Sequence, residues 1–238
     1  MRAFKEDACL RELPFLMRTA SLRPNSAILD YGCGLGRLAF AARHFLAEDG
    51  AYFGYEPNQA ALAFLKQEYA GRKNFHFNGD MLRHDEDYVA IQRKDVRAGG
   101  IAAEAVDLRE FVDRPLDVEW SHSVFTHMWA DPIVRVLREV KELLGPNGVC
   151  VNTWLCVDDF AAYVLRCGMA DRALPHRING VLTYSETNPL VCAAYELYAV
   201  REIYERAGYR IEDILWGSWC GRENNVTYQD IIISRPVR

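Results

Sequence analysis

Asp30-Tyr31-Gly32-Cys33-Gly34-Leu35-Gly36 is the segment whose residue types and spacing speak most directly of chemistry. It follows a short apolar run, Ser26–Tyr31, and opens a stretch of helical spacing, Arg37–Glu48. Glycines between a strand and a helix let the backbone approach a ligand closely, and the helix start adds free N–H groups. The spacing is G-x-G-x-G, with an acid two residues before it. The dinucleotide fingerprint is G-x-G-x-x-G and has no such acid; Arg37 stands where its third glycine would be. A carboxylate at Asp30 would repel a pyrophosphate and attract an ammonium.

Two further acids continue the pattern. Glu56 closes the next apolar run, 20 residues after Gly36, where it can accept from both hydroxyls of a ribose. Asp80 closes the third run, where an acid can accept from an adenine amino group. Cys33 lies inside the glycine turn, and Pro57 and Met81 follow the two acids; all three are placed with the binding residues. S-adenosylmethionine has an ammonium, a sulfonium and no phosphate, and suits these acids better than a dinucleotide does.

The surrounding elements alternate. Strands are predicted at Ser26–Tyr31, Ala51–Glu56, Asn74–Asp80, Leu116–Ser121, Gly148–Leu155, Tyr209–Trp216 and Tyr228–Ser234. Helices are predicted at Arg37–Glu48, Asn58–Ala70, Ile133–Leu144 and Tyr198–Ala207, the third stopping at Gly145-Pro146 and the fourth at Gly208. Glu6–Ser21 reads as a helix within an N-terminal cover, residues 1–24. Such alternation argues for a doubly wound α/β fold with a mostly parallel sheet. Only a loop joins the last two strands, so they should pair antiparallel. Two segments exceed the alternation, Met81–Arg114 and Cys156–Ala194; insertions of this length are commonly functional lids or disordered.

Composition removes other classes. The chain has 238 residues, half of them apolar and 26% charged, which suits one globular domain over its whole length. Net charge is −5 with no basic block, so no nucleic-acid partner is expected. The start lacks the apolar region of a signal peptide, and no run approaches a membrane span. Seven cysteines are scattered without a C-x-x-C, which fits a reducing cytoplasm better than a disulfide or metal framework.

ILDYGCGLGRLAF resembles the first motif of class I S-adenosylmethionine-dependent methyltransferases. YFGYEPN resembles the segment after it, and SHSVFTHM followed by EVKELLGPNGVCVNTW resembles the family's fourth strand and leucine-rich turn. Ser123–Met128, Gly217–Arg222 and Gln229-Asp230 extend the resemblance to a bacterial subgroup, and the whole covers most of Ser26–Ser234. It implies a Rossmann-like sheet of seven strands in the order 3-2-1-4-5-7-6, strand seven being antiparallel. S-adenosylmethionine is then the methyl donor and S-adenosylhomocysteine the product. The family pattern places Ser121 and His122, just after strand four, against the donor.

Methyl transfer also needs an aligned acceptor, deprotonated if it is a hydroxyl. The acceptor of such enzymes lies over the end of strand four, which makes His127 and His122 the candidate bases. Trp219 is a stacking surface for it, Arg222 a partner for an acidic group, and Trp154 a pocket wall; Tyr198 is placed with them. No metal is expected, since His122 stands where a metal-dependent site would need acids. The reading is O-methylation of a sugar or natural-product hydroxyl, on a small-molecule acceptor, by a monomer or homodimer. The alternatives are N-methylation of a small amine, a non-catalytic donor- or nucleotide-binding module, and an NAD(P) oxidoreductase, which the glycine spacing disfavours.

Overall fold

The computed structural model describes residues 6–79, 107–223, 225 and 227–238. Asp80, Met81 and most of the Met81–Arg114 segment lie outside the described residues. The first half runs α1 (Glu6–Thr19), β1 (Ala27–Tyr31), α2 (Arg37–Ala42), β2 (Ala51–Tyr55), α3 (Gln59–Glu68), β3 (Phe75–Asn78) and β4 (Leu116–Ser121). Then come α4 (Ala130–Leu143), β5 (Leu144–Trp154), β6 (Cys156–Val157), α5 (Asp159–Arg166), β7 (His176–Ile178) and β8 (Val181–Thr183). The chain closes with β9 (Ala194–Glu196), α6 (Leu197–Ala207), β10 (Tyr209–Leu215) and β11 (Asp230–Pro236). None of the described helices is long and apolar enough to cross a membrane.

Seven strands form one sheet in the order β10-β11-β5-β4-β1-β2-β3. With β10 and β11 counted as sixth and seventh, this is the expected order. β11 runs antiparallel to both of its neighbours, and the other six strands all run in one direction. Successive side chains leave a strand on opposite faces. Ile28, Val118, Trp120 and Val151 therefore meet Leu16 of α1, Leu38 of α2 and Leu65 of α3 on one face. Leu29, Cys150 and Trp154 meet Ile133 and Leu137 of α4 and Ile203 and Tyr204 of α6 on the other. The winding reverses between β1 and β4, and the carboxyl ends of those strands open the crevice where ligands bind in such sheets.

Three boundaries differ from those read in the sequence. α2 stops at Ala42, and the chain goes on to Leu46 in tight turns. Gly145-Pro146 lies inside β5 rather than after a stop: Leu116 pairs with Leu144 and Val118 with Val149, so residues 145–148 bulge opposite Asp117. Pro146 fits there because it is exposed at the strand's outer end, where no ladder donor is needed. The Cys156–Ala194 segment is neither a bare lid nor disordered. It folds as α5 and a second sheet, β6-β9-β8-β7, over a small core that includes Leu155, Leu174 and Trp219.

Asp230 fixes that second unit to the main sheet. Its fully buried carboxylate accepts from Cys156 N at 2.7 Å, Gly217 N at 2.8 Å and Trp219 Nε1 at 2.7 Å. Asp230→Ala would leave three buried donors without an acceptor, each costing about 1–3 kcal/mol. Urea denaturation should show a loss of on the order of 3 kcal/mol or more. A loss below about 1 kcal/mol would mean that Asp230 does not hold the two units together.

Candidate active site

The glycine turn is shaped by the end of β2. Gly32 N and Cys33 N both donate to the Tyr55 carbonyl, at 2.8 and 3.0 Å. Gly34 N donates to Glu56 Oε2 at 2.8 Å, and Asn58 N to Glu56 Oε1 at 2.9 Å. Asn58 caps α3 through its side chain, as its type and position suggest. Gly34 has φ +57°, and a Cβ built there would meet no atom within 4 Å: the backbone faces open space. At Gly32, φ +79°, a side chain would instead collide with Val124, so the loop after β4 packs directly on the turn.

That open space is a cavity of about 330 Å³. Asp30, Cys33, Gly34, Arg37, Glu56, Pro57 and His122 line it together, as their positions at strand ends imply. Asp30 is buried and accepts the Tyr52 hydroxyl. Burial pushes its carboxyl up to about 8, although Tyr52 and Arg37 oppose the rise; Glu12 adds to it. Burial also raises the Glu56 carboxyl, against the two backbone N–H groups that favour its charge. Glu12, on α1, carried no signal in the sequence, where it is one acid in a charged helix. Its Oε1 lies 2.6 Å from Arg37 Nη2 and 2.6 Å from His122 Nδ1. The N-terminal helix thus closes one side of the cavity through an ion pair.

A second cavity, of about 110 Å³, shares Ser123 and His127 with the first. The segment of residues 190–195, which leads into β9 of the second sheet, holds His127 in place. His127 Nδ1 donates to the Leu190 carbonyl at 2.9 Å, Ala193 N donates to Thr126 O at 2.7 Å, and Tyr195 Oη donates to Met128 O at 2.6 Å. Donation from Nδ1 leaves the lone pair on Nε2. Burial lowers the His127 pKa, against the Leu190 bond that raises it. The ring is therefore neutral near pH 7 and fit to take a proton. Ser123 sits between the cavities in the left-handed region, φ +59°, an uncommon conformation for serine. Ser123 N donates to Thr153 Oγ1 at 2.7 Å, and Gln229 bridges the pair, donating to Ser123 Oγ at 3.1 Å and accepting from Thr153 Oγ1 at 2.6 Å. Two motifs far apart in sequence, at Ser123–Met128 and Gln229-Asp230, meet here.

Other expected residues fall elsewhere. Trp219 lines the second cavity, with its Nε1 committed to Asp230. Trp154 does not wall either cavity: strand alternation sends it beneath α6, where Nε1 donates to Tyr204 Oη at 3.0 Å. Ser121 turns to the same face, and its hydroxyl bonds to buried Glu119 rather than pointing into the crevice. Arg222 is not free for an acidic ligand; it pairs with Asp158 and lies over the Trp216 and Phe160 rings. Tyr198 is 70% exposed on the first turn of α6 and lines neither cavity.

The family model described as a methyltransferase domain matches residues 29–150. The CcbJ methyltransferase from Streptomyces caelestis superposes with a TM-score of 0.60 at 14% identity, over 100% of this chain and 94% of that one. The glycopeptide N-methyltransferase MtfA, solved with sinefungin, gives 0.58 at 13% identity, over 97% and 87%. The pyocyanin biosynthetic protein PhzM gives 0.55 at 11% identity, over 97% of this chain and 55% of its own. The chain therefore spans about half the length of PhzM.

Asp30 makes the unliganded protein sensitive to pH. Its carboxyl titrates near 8 in the fold and near 3.8 when unfolded, so folding retains a proton between those values. Stability from this group is present below pH 3.8 and falls as pH rises towards 8. In thermal melts without ligand, Asp30→Asn should match the parent at low pH and become increasingly the more stable of the two up to pH 8. A difference that does not change with pH would contradict the buried, poorly compensated state of Asp30.

Proposed function

Because the chain belongs to the methyltransferase-domain family, we propose that it moves a methyl group from S-adenosylmethionine to a hydroxyl of a small acceptor. The observation that carries this reading is His127, in the wall between a cavity rimmed by acids and a second cavity beside it.

The residues of the first cavity fit the donor. Asp30 offers a buried carboxylate to an ammonium, Glu56 keeps lone pairs for two ribose hydroxyls, and Gly34 leaves room for a ligand against its backbone. Bound there, S-adenosylmethionine supplies an electrophilic methyl on a sulfonium and leaves as S-adenosylhomocysteine. Asp80 and Met81, outside the described residues, are the remaining proposed donor contacts.

The second cavity holds the acceptor. His127 Nε2 takes the proton from the acceptor hydroxyl while its oxygen takes the methyl, and the C–S electron pair stays on sulfur. The Leu190 carbonyl fixes the ring's tautomer and orientation. Ser123 lines both cavities and stands between the two ligands, which have to meet in line for the transfer. His122 belongs to the donor side, where Glu12 holds it.

One set of measurements tests this. Calorimetry with S-adenosylhomocysteine and with NAD should show binding of the first alone; binding of NAD alone would sink the reading. His127→Ala should keep S-adenosylhomocysteine affinity while labelled-methyl turnover falls by about 10²–10⁴. Since the imidazole pKa is lowered, parent turnover should hold from neutral pH down to the ordinary histidine range and drop below it. Near-parent turnover in His127→Ala would demote the residue to packing.

A further inference from the structure

The two cavities differ in electrostatic character. Three acids, Glu12, Asp30 and Glu56, line the first, with Arg37 paired to Glu12. None lines the second, where the charged side chain is Arg172. Arg172 is exposed, so it stands where the second cavity meets solvent. Its guanidinium lies over the Tyr184 ring, 5.0 Å from the centroid, and hydrogen-bonds the Cys192 side chain, but no ion pair with an acid is found for it among the described residues. The other arginine expected to bind substrate, Arg222, is taken by Asp158.

A second observation points to a ligand in the same place. Thr126 lines this cavity, is 2% exposed, and its Oγ1 has no hydrogen-bond partner. A buried hydroxyl left without a partner is costly, so one on a residue that lines a cavity is suited to a ligand's polar atom. Size narrows the ligand. At about 110 Å³ the cavity is smaller than an engineered, benzene-binding cavity of roughly 150 Å³, so it encloses a few heavy atoms.

We propose that the acceptor is a small hydroxy acid: its carboxylate pairs with Arg172, Thr126 meets one of its polar atoms, and its hydroxyl faces His127. This rests on the methyltransferase reading and adds the acceptor class to it. Arginine suits the task because its planar fork meets both oxygens of a carboxylate. Charge also works across the partition. A cationic donor in an acid-lined cavity and an anionic acceptor beside an arginine each find their complement, and each is disfavoured in the other's place.

The test uses lactate and 3-hydroxybutyrate, each beside its amide, and glycerol 3-phosphate. Their binding is measured by calorimetry on the whole chain, with and without saturating S-adenosylhomocysteine. At least one hydroxy acid should bind tenfold or more tighter than its amide. Arg172→Gln should erase that preference while leaving the amide's affinity and the S-adenosylhomocysteine affinity unchanged. Arg172→Lys should restore part of the preference, since charge returns without the fork. Equal affinity for acid and amide, a preference that survives Arg172→Gln, or a preference for glycerol 3-phosphate over both acids would each overturn the proposal. Failure of S-adenosylhomocysteine to bind would overturn the methyltransferase reading instead, and the acid-to-amide comparison without it would still judge Arg172.

Discussion

Asp30 is a carboxylate held out of water at the carboxyl end of a central strand, and the crevice is organised around that fact. Burial disfavours its charge, and one tyrosine hydroxyl does not offset the cost. Glu12, brought over the same cavity by α1, raises the cost further. A cationic ligand would favour the ionised form of Asp30 and relieve this cost, whereas a phosphate would oppose it. The parallel pairing of β1 with β2 and β4 places Asp30, Glu56 and His122 around one opening.

The acceptor side depends on a different constraint. His127 lies in a short 3-10 turn, Phe125–His127, that has few internal bonds to fix it. The chain leading into and along β9 of the second sheet supplies them, through Leu190, Ala193 and Tyr195. That sheet is in turn tied to β11 by Asp230, next to Gln229, which braces Ser123. One strand end thus supports both the wall of the acceptor cavity and the residue that divides it from the donor cavity. The Cys156–Ala194 segment both positions His127 and lines the second cavity.

Much of the donor side was legible because its chemistry is local. The glycine turn, the acid two residues before it and Glu56 at the next strand end follow from strand and helix periodicity alone. Gln229 was legible only as part of a motif, since its contact with Ser123 joins residues 106 positions apart. Trp154, Ser121 and Arg222 were misplaced for physical reasons. Alternation along β4 and β5 sends the first two under the helices, and Asp158 captures the third. Glu12 and Arg172 were invisible because tertiary packing alone gives them meaning. The bulge at Gly145-Pro146 was hidden for a similar reason: a glycine-proline pair reads as a stop until a neighbouring strand pairs on both sides of it.

A structure of the chain with S-adenosylhomocysteine bound bears most directly on these relations. The amino group is expected within hydrogen-bond reach of Asp30, the ribose hydroxyls on Glu56, and the sulfur towards the wall formed by Ser123 and His127. A nucleoside lodged in the second cavity, or an amino group remote from Asp30, would contradict them.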